Sequence, residues 1–262
     1  APDDGIGIWR PQLGEKTRFF GQLGVGLSLN PLRVENYIDT IDQSKIVEDQ
    51  NGAPVPLQLT TYVSAGVEIL ERFSFQLSFP LAVYHGSNSL VNTPAQIREE
   101  VDQQAVVPMD LRLDGRVVFL RNEEKTLKLG AIASLWLPTG NEYSFGGDTT
   151  VTGALGLAAE YDAKSFALTL NAGYHFRPTA KLNELEHGDE LTYGVGAFVP
   201  LNGGQFRVSG EVTGSLGIGA ETTGDVDNTP IEARLEGRMG LASDPTQVWI
   251  GVSGGTRLSA GY

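Results

Sequence analysis

The chain lacks several features that would each point to a class of protein. It has no cysteine, so no disulfide staples the fold, although this leaves the cellular compartment open. It has no apolar run near the roughly 18 residues that a transmembrane helix needs. It is also poor in basic residues, because 19 Lys and Arg face 32 Asp and Glu. The net charge of −13 argues against nucleic acid as a partner.

The stretch from Thr229 to Leu241 shows what the chain does contain. Its apolar side holds Ile231, Ala233, Leu235, Gly237, Met239 and Leu241, and its charged side holds Glu232, Arg234, Glu236 and Arg238. Alternation with period two predicts a β-strand and excludes a helix. Such a strand fits either a soluble sandwich with its charges in water or a membrane barrel with its apolar side in lipid.

Ten further segments show the same alternation, and none shows helical periodicity. They cover roughly residues 18–29, 61–69, 73–83, 110–119, 127–137, 151–161, 166–176, 191–199, 206–218 and 248–258. Pro80 is the weakest point of this assignment because it lacks an N–H for the sheet. We predict an all-β chain with an N-terminal periplasmic segment, 1–17, and one transmembrane barrel, 18–262.

Three regularities favour the membrane barrel over the sandwich. The strands run about ten or more residues, enough to cross an apolar band when tilted. Connections alternate between short turns and long loops, as they do between the two sides of an outer membrane. Aromatic residues mark both ends of the apolar face and predict two interfacial girdles. These residues are Phe19, Phe73, Phe119, Tyr161, Phe166, Tyr174, Phe176, Tyr193 and Phe206.

The opposite face carries charges that would line the lumen. They are Glu68, Asp110, Arg112, Asp114, Arg116, Lys128, Glu160, Arg207, Glu211, Glu232, Arg234, Glu236 and Arg238. Because an unpaired buried charge is costly, these nearly balanced charges should pair across the lumen. We therefore predict a lumen largely closed by ion pairs, which high conductance in planar bilayers would contradict.

The number of predicted strands raises a question of closure. Bacterial single-chain barrels have even strand numbers, and unpaired edges in lipid would leave backbone groups without partners. We therefore expect an antiparallel up-and-down barrel of about twelve strands. The closing strand would lie beyond Tyr262 or come from another segment such as Gly5 to Trp9.

Several motifs resemble the N-terminal barrel of OmpA-family outer-membrane proteins of the myxobacterial type. The similarity is carried by Asn30–Val34, Leu137–Gly140, Ala158–Tyr161, Asn171–Pro178, Gly188–Gly194 and Thr256–Tyr262. Their order and spacing cover nearly the whole chain. The resemblance implies a structural, wall-anchoring protein that would grip peptidoglycan through a C-terminal domain absent from this sequence.

Candidate chemistry is sparse. His175 faces the predicted lumen, whereas an outer-membrane phospholipase would need its Ser–His pair on the lipid face. Asp225 to Asn228 has the look of a Ca²⁺ cluster but lacks the loop spacing and distal Glu of a calcium-binding loop. We expect no enzyme activity, no cofactor and no metal site.

The predicted function is a mainly structural outer-membrane barrel in the bacterial cell envelope. Its partners would be outer-membrane lipid and, through loops 30–60 and 85–107, other envelope proteins. A small-solute channel or transporter is the alternative, and a lumen wider than a water molecule would favour it.

Overall fold

A computed structural model of the chain describes residues 2–32, 35–40, 43–48, 55–86, 105–141, 144, 146–182, 185–218, 229–242 and 248–259. Its strands are β1 (Arg18–Leu32), β2 (Glu35–Thr40), β3 (Gln43–Glu48), β4 (Val55–Ile69), β5 (Phe73–His85), β6 (Val107–Pro108), β7 (Leu111–Arg121), β8 (Leu127–Leu137), β9 (Thr152–Asp162), β10 (Ala167–Phe176), β11 (Ala180–Leu182), β12 (Leu185–His187), β13 (Glu190–Leu201), β14 (Phe206–Gly217), β15 (Ile231–Gly240) and β16 (Trp249–Arg257). One short 3₁₀ turn spans Asn202–Gly204. None of the described residues belongs to a helix of the length and apolarity that crossing a membrane requires.

Twelve strands form one antiparallel sheet, which confirms the predicted fold class. The eleven long strands follow one another in the order β1, β4, β5, β7, β8, β9, β10, β13, β14, β15 and β16. The two-residue strand β6 pairs with β5 beside this path. Pro80 lies where β5 changes neighbours, because β5 pairs with β7 up to Ser78 and with β6 from Leu81. At such a junction the missing N–H of a proline does little harm.

Two small hairpins lie in stretches that the sequence led us to expect as loops. β2 pairs with β3 inside the 30–60 stretch, and β11 pairs with β12 after Pro178. The first loop is also shorter than predicted, because β4 already begins at Val55. Weak side-chain alternation in these stretches hid the hairpins. The second expected partner loop, 85–107, lies mostly outside the described residues.

Short turns join the strands at one end of the sheet, the end at which β1 begins. We call it the short-turn end and the opposite one the long-loop end. Leu70 and Glu71 adopt positive φ values of 50° and 58° between β4 and β5. Two successive residues with positive φ are typical of the tight hairpin turns whose twist matches the flanking strands.

The two faces of the sheet are inverted relative to a water-soluble protein. Large apolar side chains lie on the outer face and are exposed, as with Leu23 at 77% and Leu157 at 60%. Charged side chains lie on the inner face and are buried, as with Glu68 at 0% and Glu160 at 1%. An outer face this apolar requires hydrocarbon around it, so the sheet is a transmembrane barrel.

The edges of the sheet approach each other through residues 2–4. Arg18 of β1 donates from Nη2 to Asp3 Oδ2 at 2.9 Å, and Arg238 of β15 donates from Nη1 to the Pro2 carbonyl at 2.6 Å. A single short peptide thus contacts β1, the first strand of the order, and β15, the last strand but one, which shows that the sheet is rolled up. Within the described residues, β1 and β16 end the path of the main sheet, β1 beside β4 and β16 beside β15.

The N-terminal segment does not occupy the position that we expected. Gly5 to Trp9 form no strand and do not close the barrel. Ile8 and Trp9 are instead buried among inward-facing side chains, at 2% and 7% exposure. The segment that we predicted to lie in the periplasm therefore fills part of the lumen. Polar side chains of the barrel wall bind its backbone groups, and this contact takes the place of strand pairing.

Candidate functional site

The candidate site is the lumen together with residues 2–14, which we call the lumen segment. The segment enters at the short-turn end, where the Gly14 carbonyl accepts from the Glu71 N–H at 3.1 Å. Lys125 donates to Glu15 at 2.9 Å at the same end, and this contact lowers the pKa of Glu15. Further along, the Gly5 N–H donates to the Ile8 carbonyl at 3.0 Å and turns the backbone back inside the barrel.

Wall side chains satisfy the backbone of the lumen segment. The N–H groups of Ile6 and Gly7 donate to the Glu211 carboxylate at 2.9 and 2.8 Å. Trp9 and the Asn171 side chain exchange two hydrogen bonds, of 2.9 Å and 2.8 Å. Buried backbone groups need hydrogen-bond partners. In a sheet a neighbouring strand supplies them, and in this irregular segment the wall side chains supply them.

Ion pairs hold the segment from several sides. Arg10 Nε lies 2.6 Å from Glu160 Oε2, and Lys128 Nζ lies 3.2 Å from the other oxygen of the same carboxylate. Asp4 pairs with Arg116, and Asp3 pairs with Arg18. The Arg10, Glu160, Lys128, Asp4 and Arg116 charges are buried and the Asp3–Arg18 pair is half-buried. Because each of these charges has an opposite charge beside it, the desolvation cost of placing them in the lumen is offset.

Two arginines bind the backbone carbonyl groups at the start of the segment. Arg207 donates to the carbonyls of Asp3 and Asp4, both at 2.8 Å. Arg238 donates to the carbonyls of Pro2 and Asp4, both at 2.6 Å. The two arginines face each other on neighbouring strands, an arrangement of like charges that is unfavourable by itself. Glu236 lies between them and accepts hydrogen bonds from both.

Glycines provide the space that the segment occupies. A Cβ on Gly194 of β13 would overlap Ile8 Cδ1, and one on Gly130 of β8 would lie 2.7 Å from the Trp9 ring. On the segment itself, a Cβ on Gly5 would overlap Glu211 Oε1. Side chains at these positions would displace the opposing atoms, so the fit depends on their absence.

The half of the lumen nearer the long loops holds a second polar group. Arg112 Nε donates to Asp114 Oδ1 at 2.8 Å, and its guanidinium lies 4.9 Å from the Trp136 ring. The Trp136 ring lies 4.6 Å from the His175 ring. At the mouth, Asp189 accepts from the Arg177 N–H and the Tyr174 hydroxyl, and these bonds lower the pKa of Asp189.

The structure brings together part of the predicted charge network. Five pairs join two residues of the predicted set, namely Arg112–Asp114, Lys128–Glu160, Arg207–Glu236, Arg234–Glu232 and Arg238–Glu236. Three of these pairs lie within a single strand and two join neighbouring strands, so these five follow the wall and do not cross the lumen as we expected. Asp110 accepts from the backbone N–H groups of Gly140 and Asp148, at 2.9 Å each.

Further partners come from the lumen segment, which the sequence pattern did not place in the lumen, and one comes from Arg18 at the start of β1. Glu68 binds Arg18 and the Gly14 N–H, Arg116 binds Asp4, and Glu211 binds the Ile6 and Gly7 N–H groups. The segment has no periodicity that could have revealed it. The available signals were its Gly5-Ile6-Gly7 spacing and its isolated Arg10, and neither specifies a partner.

The predicted girdle residues lie on the outer face. Phe19 is 86% exposed, and Phe73, Phe119, Tyr161, Phe166 and Phe206 follow it on the side of the short turns. Phe176 and Tyr193 are exposed nearer the long loops, where Tyr174 is half-buried. Their role as interfacial anchors stays a prediction.

Metal and catalytic groups do not form a site in the part of the chain that the structure describes. No group of three or more His, Asp and Glu side chains there could hold a metal ion. The Asp225 to Asn228 stretch lies outside the described residues. His175 faces inward beside Trp136, away from lipid.

Together the fold and the site define a class: a transmembrane β-barrel of the bacterial outer membrane whose polar lumen holds residues 2–14 of the same chain. The chain belongs to the family described as "Putative MetA-pathway of phenol degradation", which matches residues 58–236. This assignment supports an outer-membrane barrel and does not single out the OmpA family that the motifs suggested.

A solved structure shows the same fold. It is the crystal structure of an outer-membrane channel from Pseudomonas putida F1, with a TM-score of 0.65 and 12% sequence identity. The alignment covers 95% of this chain and 90% of the channel. No curated protein matches the chain in sequence.

Proposed function

We propose that the protein is an outer-membrane channel for small solutes. In the conformation described above, the lumen segment closes this channel. The observation that carries this proposal is that the segment lies inside the barrel without being part of its sheet. The Glu211, Asn171 and Arg10 contacts are all made by side chains or by hydrogen bonds between a side chain and the backbone. The segment can therefore leave while every strand pair remains.

The chemistry of the contacts supports a reversible closure. A hydrogen bond exchanged for one to water changes stability by only about 0.5–1.5 kcal/mol. The ion pairs of Asp4 and Arg10 are costly to break in a dry interior. Departure of the segment admits water, which solvates both partners. Family membership and the channel fold of the Pseudomonas putida protein lend further support.

A disulfide lock tests the proposal. A Cβ on Gly7 would lie 3.2 Å from Thr213 Cγ2, so cysteines at these two positions are close enough to bond once the end of the flexible Arg234 side chain, which that Cβ would overlap, has moved aside. Because the chain has no cysteine, Gly7→Cys/Thr213→Cys introduces the only thiols. We expect the oxidised variant to conduct no current in planar bilayers, and we expect reduction to restore conductance and solute flux into liposomes.

The two single-cysteine variants are the matched controls, and their conductance should not respond to reductant. A locked variant that conducts as well as its reduced form would overturn the proposal, because solutes would then pass the segment where it lies.

Anchoring, the role that the OmpA resemblance implied, is the second candidate. The buried ion pairs that fill the lumen favour it, since an anchor needs no passage. A protein that conducts in neither redox state, while remaining folded, would support anchoring over transport.

A further inference from the structure

The contacts of residues 2–4 carry an inference about the solute, which rests on the proposed channel function. Four N–H donors, two from Arg207 and two from Arg238, converge on the three successive carbonyl oxygens of Pro2, Asp3 and Asp4. Arg116 reaches the carboxylate of the same Asp4. We propose that these three arginines form a carboxylate-binding site, which residues 2–4 of the lumen segment occupy when the lumen is closed.

The charge balance favours an anion once the segment leaves. Asp3, Asp4 and Arg10 depart together, and Glu236 remains as the carboxylate bound to Arg207 and Arg238. Around the former position of Asp4, three guanidinium groups then face one carboxylate, a local excess of two positive charges, while Glu160 keeps Lys128 as its partner. The Arg116 Nε is already buried without a hydrogen-bond partner among the described atoms. Arg207 and Arg238 face each other on neighbouring strands, and like charges in that position repel each other even in a hydrated lumen, so an anion that binds between them is stabilising.

The geometry of the arginines suits a carboxylate. Each guanidinium offers two donors in a fixed fork, which matches the two oxygens of a carboxylate. Aromatic rings keep the forks in place, because Arg238 lies 4.0 Å from the Trp249 ring centroid and Arg207 lies 5.3 Å from that of Phe198. Both guanidiniums therefore remain ordered after the peptide carbonyls have gone.

Competition follows from the relative strength of the two kinds of hydrogen bond. Both a carbonyl and a carboxylate accept from a guanidinium, but the carboxylate carries a full negative charge and accepts more strongly. A small carboxylate in the lumen should therefore displace residues 2–4 and favour release of the segment. The solute would in this way promote its own passage, because it binds the open state and not the closed one.

The first test measures release of the segment without measuring transport. Ile8 is 2% exposed, so the thiol of Ile8→Cys should react slowly with a maleimide while the segment is seated. We expect sodium acetate to raise the reaction rate several-fold over sodium chloride of equal ionic strength, with saturation. Adding Arg207→Gln/Arg238→Gln should abolish the difference between acetate and chloride.

Arg112→Gln is the matched control. Arg112 also faces the lumen, but it binds Asp114 and Ser134 in the half nearer the long loops, away from residues 2–4. The acetate effect should persist in this variant. Equal rates in acetate and chloride, or an acetate effect that survives the double substitution, would overturn the site.

A second measurement separates failure of the site from failure of the channel. Reversal potentials in potassium acetate gradients should show a larger anion share for the wild type than for the double variant. If no variant conducts but acetate still speeds labelling of the Ile8→Cys thiol, the carboxylate site stands and the channel function falls. If all variants conduct with the same anion share and acetate leaves that labelling rate unchanged, the channel stands and the site falls.

Discussion

At the scale of single residues, the lumen is built from two opposite kinds of side chain. Charged residues supply the contacts, as Glu211 and Arg238 do, and glycines supply the space, as Gly194 and Gly130 do. The alternation of residues showed which side chains face inward. It did not show which of them bind the lumen segment and which bind each other, because both kinds of contact use the same residue types.

Gly194→Ile tests whether the lumen segment can bind in the barrel only because residue 194 has no side chain. A Cβ at this position would overlap Ile8 Cδ1, and a β-branched side chain fits a strand well. Overpacking of this kind typically costs about 1–3 kcal/mol. Because the strand is fixed on both sides by β10 and β14, we expect Ile8 to move and the channel to conduct more often in planar bilayers.

Gly237→Ile is the control for this substitution. Gly237 is a strand glycine on the apolar outer side of β15, and nothing lies within 4 Å of a Cβ there. Its conductance should match the wild type. Equal changes in both variants would show that the effect comes from strand conformation and not from the seat of Ile8.

At the scale of elements, the strands were predictable and the lumen segment was not. A strand can be predicted from its local sequence, because successive residues face opposite environments. The contacts of the segment join Ile6 to Glu211 and Arg10 to Glu160, residues far apart in the chain, through an irregular backbone. No local pattern encodes such contacts. The hairpins β2–β3 and β11–β12 were missed for a related reason, since their short strands provide too few alternations.

Leu157→Arg tests the outer face of one strand. Leu157 is the central residue of β9 and is 60% exposed on the apolar side. An arginine at the bilayer midplane should destabilise a barrel by about 2–4 kcal/mol, because its charge must be solvated in hydrocarbon. Urea unfolding in lipid vesicles, followed by gel mobility, measures the change.

Leu201→Arg provides the comparison near the membrane surface. Leu201 is the last residue of β13, beside a short turn, and is also exposed. Its arginine can reach the headgroups, so the expected loss is only about 0–1 kcal/mol. Similar losses at the two positions would contradict the placement of the apolar band.

At the scale of the whole molecule, the inside of the barrel is polar and its outside is apolar. The same inversion explains why the chain could be assigned to a membrane barrel from its sequence. It also explains why channel and anchor could not be separated, because a balanced set of lumen charges suits a closed barrel and a closable one equally. The position of residues 2–14 favours a channel, and that position depends on contacts with many strands at once.

The three tryptophans test this inversion across the whole barrel. Trp9 is buried in the lumen segment, Trp136 lies beside His175, and Trp249 lies beneath Arg238. All three are on the inner side, so lipids with brominated acyl chains, which quench only on contact, should leave the native fluorescence largely unchanged. Leu157→Trp should add emission that these lipids quench strongly. Strong quenching of the native protein, with no further quenching in the variant, would mean that lipid reaches the charged side of the sheet and that the barrel is assigned inside out.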